Sequence, residues 1–389
     1  MDTYIKRLAE AKIKSWFESN KILLVLGARQ VGKTTLLKHI FHSASSQFLN
    51  LDIEIDKRRL LAASSLPPSD ALISLGKPKV LVIDEAQRLP EVGRIVKGWY
   101  DVGVKTKIVL SGSSSLDLLD RFAESLAGRN VKVFLSSLVF QEVLSAQTWY
   151  SVKFGQKQLE NFSDQINSLI LLNLVFGSYP EVITSVDKIQ YLTNLTSDYL
   201  LKDVLQLGLV KNPTLIHKLL SLLAYQSGSV VSVNELSNSL NVSRQTIERY
   251  LDLLERTYVI FRLSSYSTNP RKEIAKSQKV YFWDTGVRNA LIGEFNLNLL
   301  RSDIGQLWEN WVVAEFAKKN TLAGSTDKLY FWRSRSGSEV DLVVKKYDGT
   351  LLAYEIKWTS SKALTKAFTS QYHVPVTLIN KNNFVRILI

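Results

Sequence analysis

The sequence predicts an α/β protein that opens on a parallel sheet and continues through helical segments into a second, smaller α/β region. Three observations carry that expectation. Four short apolar runs, ILLVL at 22–26, FLNL at 48–51, VLVI at 80–83 and IVL at 108–110, are separated by stretches long enough for crossover helices. Such runs read as parallel strands, because these are buried on both faces and need a helix to reach the next strand. From about 158 to 225 the pattern turns helical, with Leu and Ile clusters and few turn signals apart from 177–180. Beyond 290, one amphipathic helix at about 303–319 precedes strands near 328–333, 338–346, 351–357 and 374–379.

Length and composition set the bounds. A chain of 389 residues with 46% hydrophobic and 22% charged side chains has material for two or three domains, which excludes a lone small module or a disordered chain. With no cysteine, disulfides and thiolate metal sites are excluded. The first ten residues carry charges where an export signal needs an apolar core. The greasiest stretch, 169–176, is interrupted by Asn173 and falls far short of the ~20 apolar residues of a membrane helix. A cytoplasmic protein without a membrane partner is expected. The formal charge of +13 favours a polyanionic partner. It is unevenly placed: residues 1–210 hold 25 basic and 21 acidic side chains, whereas 211–389 hold 24 and 15.

Residues 4–20 mix apolar and basic positions at helical spacing and feed the first strand. Directly after that strand stands GARQVGKTT: Gly27, Ala28, Arg29, Gln30, Val31, Gly32, Lys33, Thr34 and Thr35. It fits G-x-x-x-x-G-K-[ST] between a strand and a helix, where glycines let backbone N–H groups wrap phosphates. Lys33 is expected at the β/γ oxygens of ATP, and Thr34 as a Mg²⁺ ligand. The run VLVIDEAQ ends its strand in Asp84 and Glu85. Asp84 is expected to hold the Mg²⁺ shell and Glu85 to polarise an attacking water. The fourth run ends in Ser111, Gly112 and Ser113, a candidate γ-phosphate sensor or an ordinary Ser-rich turn. Arg129 is a candidate transition-state arginine, in cis or from a neighbouring subunit, or a surface cation.

Between 231 and 283, Ser232 opens a helix with Glu235 three residues on, and a second helix follows Ser243 to about Arg256. Two extended segments, 259–264 and 279–283, flank a basic loop, which together make a winged-helix pattern. In it Arg244, Gln245, Thr246 and Arg249 occupy the first turns of a recognition helix, and Arg271, Lys272, Lys276 and Lys279 form a basic wing. The expected contact is with nucleic-acid backbone. The alternative is a structural adaptor with a solvated helix face.

In the last segment, SEVDLVV at 338–344 precedes LLAYEIKW at 351–358. Alternation along a strand puts Glu339 with Asp341, and Glu355 with Lys357. Buried acids need a counter-charge, which a divalent metal supplies. With Glu309 on the preceding helix, the set resembles the PD-(D/E)XK nuclease fold, although no Pro precedes Asp341. That resemblance implies Asp341 and Glu355 on a second Mg²⁺ or Mn²⁺, Lys357 on water and Glu309 completing the shell. Charged pairs on a solvated sheet face, or a nuclease-like fold without cleavage, are the alternatives.

GARQVGKTT, VLVIDEAQRLP, IVLSGSSS, LAGR, FGSYPEV and WDTGV together resemble a large family of prokaryotic ATPases of the AAA+ superfamily, over nearly the whole chain. The resemblance implies ATP binding and hydrolysis without fixing a substrate. The expected organisation is an AAA+-like P-loop core at 1–157, a helical lid at 158–225, a winged helix at 226–290 and a restriction-endonuclease-like domain at 291–389. Nucleic acid is the leading expected partner. A switch that binds a protein partner or a second copy, and an active nuclease, are the alternatives.

Overall fold

The computed structural model describes residues 4–43, 45–113, 125–151, 153–200, 212–269, 278–298, 300–359 and 366–389. The chain forms two compact units, Met1–Ser136 with Arg256–Tyr258, and Ser137–Glu255 with Val259–Ile389.

In the first unit the expected runs become strands. Helix α1 (Ala9–Trp16) leads to β1 (Ile22–Gly27), α2 (Lys33–Ile40), β2 (Ser46–Asn50), α3 (Glu54–Ser64) and α4 (Pro68–Ser74). Then come β3 (Val80–Asp84), α5 (Val92–Asp101), β4 (Lys107–Ser113) and β5 (Asn130–Phe134). The sheet runs β2-β3-β4-β1-β5, all parallel. Every residue of β1 and β3 is buried, as strands covered on both faces must be. Helix α5 shows the complementary pattern: Val92, Val96 and Trp99 fall on one face and are buried in the same core as Leu81 and Ile83. Strand β5 escaped the apolar-run reading because it is an edge strand. Its polar Asn130 and Lys132 alternate with valines, and only Val133 is buried. The strand order sets the carboxyl ends of β1, β4 and β3 side by side, the position where open α/β sheets bind ligands.

The second unit begins earlier than a boundary at 157 would place it. Helix α6 (Phe140–Ser145) belongs to it, followed by α7 (Gln156–Asn161), α8 (Ser163–Phe176), α9 (Pro180–Thr184) and α10 (Lys188–Asn194). Next are α11 (Pro213–Tyr225), β6 (Val230–Val231), α12 (Val233–Leu240), α13 (Arg244–Arg256), β7 (Ile260–Ser265) and β8 (Gln278–Phe282). The chain closes with α14 (Thr285–Ile292), α15 (Ile304–Ala323), β9 (Lys328–Arg333), β10 (Glu339–Lys345), β11 (Leu351–Ile356), α16 (Lys366–Tyr372), β12 (Val376–Ile379) and α17 (Phe384–Leu388). One mixed sheet, β12-β11-β10-β9-β7-β8-β6, runs through this unit. The strands read as a wing and the strands of the last segment are thus one sheet, joined where β7 pairs parallel to β9 at Ser264 and Ser265. Among the described residues no helix is long and apolar enough to cross a membrane.

Two of the sequence signatures lock together inside this unit. Asp284 caps α14 by accepting hydrogen bonds from the backbone N–H groups of Gly286 (3.0 Å) and Val287 (3.4 Å). Its other carboxylate oxygen accepts from Ser178 N–H (2.9 Å) and Ser178 Oγ (3.3 Å). Asn289 adds hydrogen bonds to the carbonyls of Leu174 and Val175 at the end of α8. A Cβ on Gly286 would lie 2.1 Å from the Phe176 carbonyl oxygen, so only glycine permits this approach. A buried ion pair on α15 extends the lock. Lys318 Nζ reaches Glu315 (3.3 Å), Ser178 Oγ (3.0 Å) and the Leu138 carbonyl (3.2 Å), while Glu315 accepts from Phe140 N–H (2.8 Å).

Candidate functional site

The phosphate loop occupies the carboxyl end of β1. Gly27 ends the strand against the exit of β5, where a Cβ would stand 2.0 Å from the Leu135 carbonyl oxygen. Gly32 starts α2 in the left-handed region at φ 89°, which glycine adopts at no steric cost. Lys33 is buried, and its ammonium donates to the carbonyls of Gly27 (3.0 Å) and Ala28 (2.8 Å), holding a positive charge within the loop. The helix N-terminus adds the partial positive charge of its free N–H groups. Thr34 faces inward and Thr35 is exposed, so the first of the paired threonines is the one that meets the strand ends. Ala28 and Val31 are buried, while Arg29 and Gln30 are half-buried, Gln30 at φ 61°.

Asp84 is the hub. Thr34 Oγ1 donates to its Oδ2 at 2.5 Å, Ser111 Oγ donates to Oδ1, and Glu85 N–H donates to the same oxygen at 3.0 Å. Parallel pairing explains Ser111: Ile83 lies opposite Leu110, so the next residues on β3 and β4 are neighbours. The side chain of Ser113 lies outside the described residues. Glu85 leaves the strand in the left-handed region at φ 52°, separating its carboxylate from the one before it. Burial pushes the Glu85 carboxyl up and Asp84 adds to the rise, against the opposing pull of Lys33 and a hydrogen bond from Gln87. Thr34 and Asp84 offer neighbouring oxygens of the hard type that Mg²⁺ prefers, beside a cationic phosphate cradle. These residues fit a Mg²⁺-nucleotide.

Sequence reasoning missed Arg7. Its guanidinium is buried and donates to the carbonyls of Val31 (2.7 Å) and Ser136 (2.8 Å), tying the phosphate loop to the end of the β5 segment. Nothing in the motif grammar marks a basic residue twenty positions before the loop. Arg129 is placed away from the loop, which leaves its neighbouring-subunit and surface-cation readings. Its carbonyl pairs with Ile22 N–H at the start of β1, the opposite end of the strand from Gly27. Five residues of strand at ~3.3 Å each separate that end from the loop, and the side chain is paired with Asp101 at 2.7 Å. An arginine so placed does not reach a nucleotide on its own chain.

In the second unit, the four residues Glu309, Asp341, Glu355 and Lys357 come together, with additions. Lys357 Nζ lies 3.0 Å from Asp341 and 3.8 Å from Glu355. Glu309 Oε1 accepts from Lys279 Nζ (2.9 Å) and Tyr281 OH (2.7 Å). Lys279 also pairs with Glu339. Lys279 is therefore not a wing cation: it is 2% exposed and spent on internal acids. Burial and the neighbouring Asp341 push the Glu309 carboxyl up to about 7, in spite of Lys279 and Tyr281. Arg271, Lys272 and Lys276 lie outside the described residues. On α13, Ile247, Tyr250, Leu251, Leu253 and Leu254 are buried, while Arg244, Gln245 and Arg249 are exposed at its amino-terminal half. Farther along, Asp252 and Glu255 are clamped by Arg262 at 2.5 and 2.6 Å.

A family profile described as an AAA domain matches residues 19–144, and two described as domains of unknown function match 169–298 and 304–384. An uncharacterized protein of Mycobacterium tuberculosis is 29% identical over 372 residues, covering 94% of this chain and 76% of its own length. An uncharacterized protein of Methanocaldococcus jannaschii is 27% identical over 364 residues, covering 90% and 78%. Among solved structures, the Walker-type ATPase PABY2304 of Pyrococcus abyssi aligns with TM-score 0.51 at 15% identity, over 74% of this chain and 96% of that one.

Proposed function

We propose that this chain, whose residues 19–144 match an AAA domain profile, is a P-loop ATPase of the AAA+ superfamily that hydrolyses ATP with Mg²⁺ and couples the cycle to nucleic acid bound by its C-terminal half. The observation that carries the ATPase reading is the hub at Asp84, which gathers Thr34, Ser111 and Glu85 beside Lys33. Lys33 and the loop N–H groups bind and orient the phosphates. Thr34 and Asp84 would hold Mg²⁺, which when bound supplies charge neutralisation at the phosphate oxygens. Ser111 fixes the rotamer of Asp84. Glu85 takes the proton from the attacking water, and its buried carboxyl, with a raised pKa, is a stronger base than an exposed one.

The nucleic-acid reading rests on charge and placement. Arg244, Gln245 and Arg249 are exposed together on α13, in the part of the sequence that holds 24 basic against 15 acidic side chains. Phosphate contacts of that kind are salt-sensitive and carry little sequence information. The test is steady-state ATP turnover of the wild type and Lys33→Ala, with and without single- and double-stranded DNA, from low to physiological salt. Turnover that needs Lys33 and responds to DNA in a salt-dependent way is expected. Turnover retained in Lys33→Ala would overturn the phosphate-site assignment. A rate indifferent to every nucleic acid, with ATP held tightly, would replace the nucleic-acid reading by a protein-binding switch.

A further inference from the structure

The cluster around Asp341 has the residue types of a metal-dependent nuclease site but not its charge arrangement. Among the described residues no group of three or more His, Cys, Asp or Glu is placed to hold a metal ion. The reason is visible in Lys279. It leaves β8, and its ammonium lies over the ring of Phe331 on the same sheet, 5.6 Å from the centroid. There it meets Glu309 from α15 and Glu339 from β10. Burial lowers the pKa of this ammonium, but Glu309, Glu339 and Asp341 outweigh burial and raise it above the ordinary lysine value.

One oxygen on each of two further candidate ligands is also engaged. Asp341 Oδ2 accepts from Ile356 N–H (2.7 Å) and Lys357 Nζ (3.0 Å), and Glu309 Oε1 from Lys279 and Tyr281. A Cβ on Gly228 would stand 3.3 Å from the same Glu309 oxygen, so backbone closes this side of the carboxylate. A divalent ion ligated by these two oxygens would displace their hydrogen bonds and sit against the buried Lys279 ammonium of like sign.

We propose that Lys279 is the resident cation of this cluster, standing in place of a divalent metal, so that the C-terminal segment does not cut nucleic acid. The nuclease-like acids are then a structural ion network that joins α15 to β8 and β10. Lys357 keeps its place on Asp341 in either case; Lys279 is the residue whose presence decides. The idea is independent of ATP hydrolysis, since it concerns ion binding within the second unit.

The test is Mn²⁺ binding to the full-length, nucleotide-free protein, followed by the loss of the free-ion electron paramagnetic signal. Four proteins are compared: wild type, Asp341→Asn, Lys279→Met, and the double variant. Ion bound at the phosphate loop is common to all four and cancels. Wild type and Asp341→Asn should bind equal amounts, Lys279→Met should bind one further ion per chain, and the double variant should lose it. An Asp341-dependent ion in the wild type overturns the proposal. So does a folded Lys279→Met that gains none. Should that variant fail to fold, the wild-type and Asp341→Asn pair still decides. Incubating the wild type with Mg²⁺ or Mn²⁺ and several forms of DNA and RNA should leave them intact, and cleavage abolished by Glu355→Ala would also refute the assignment.

Discussion

Replacing Asp284 with alanine separates a structural from a catalytic meaning of the WDTGV signature. The carboxylate serves four donors, two at the start of α14 and two on Ser178. Losing the helix cap costs about 1 kcal/mol. Ser178 N–H is then left buried without its acceptor, a further cost of about 1–3 kcal/mol. Ser178 Oγ still donates to the Leu138 carbonyl at 2.7 Å, and the Val287 contact at 3.4 Å is weak, so neither adds much. The total comes to roughly 3 kcal/mol. Urea unfolding followed by tryptophan fluorescence reads it, Trp283 being adjacent in sequence. With a slope of about 1–3 kcal/mol per molar, the transition of the second unit should move down by about 1 M or more at unchanged slope. Asp284→Asn, which keeps one carbonyl acceptor, should fall between. ATP turnover per folded molecule should be preserved. An unchanged midpoint refutes the accounting, and lost turnover at an unchanged midpoint would make the signature a functional element.

Glu85→Gln should lower the hydrolysis rate by about 10²–10⁴-fold while ATP binding persists, as measured by turnover beside nucleotide titration. Because burial raises the Glu85 carboxyl, the base form is lost on acidification at a pH above the usual glutamate value of about 4.3; the wild-type rate should show that acidic limb and the Gln variant should lack it. Lys318→Met strands Glu315 as a buried charge and should cost about 3–5 kcal/mol in urea unfolding, most of it recovered by adding Glu315→Gln. Arg244→Ala and Arg249→Ala should each weaken DNA binding for all sequences alike and reduce the slope of log affinity against log salt by about 0.9; an unchanged slope would take these residues out of the interface.

The first unit was legible because its strands are buried on both faces and its motifs are contiguous. GARQVGKTT and VLVIDEAQ each place their functional side chains within a few residues of a strand end, so reading the strand locates the side chain. Strand β5 was not, since an edge strand carries Asn130 and Lys132 and leaves no apolar run. Arg7 was not, because its partners at Val31 and Ser136 are distant in sequence and are backbone carbonyls. The acids at 309, 341 and 355 were found from alternation along strands and an acid on the preceding helix. Lys279 was read with the basic loop before it, because sequence proximity to Arg271 and Lys276 says nothing of which way a strand residue points. A shift by one position on β8 would have sent it to the other face of the sheet.

The charge surplus changes meaning once the internal pairs are known. Within 211–389, the buried or half-buried clusters employ Arg262, Lys279, Arg288, Arg301, Lys318 and Lys357 as cations. Their partners are Asp252, Glu255, Asp303, Glu309, Glu315, Glu339, Asp341 and Glu355. These networks consume more acids than bases. The excess of basic side chains outside them is therefore larger than the raw difference between 24 and 15. A lysine that looks like part of a nucleic-acid footprint in the sequence can be structural, as Lys279 is. The relevant cations are the ones left outside these networks, Arg244 and Arg249 among them, which is why the salt dependence of their variants tests the partner more directly than net charge does.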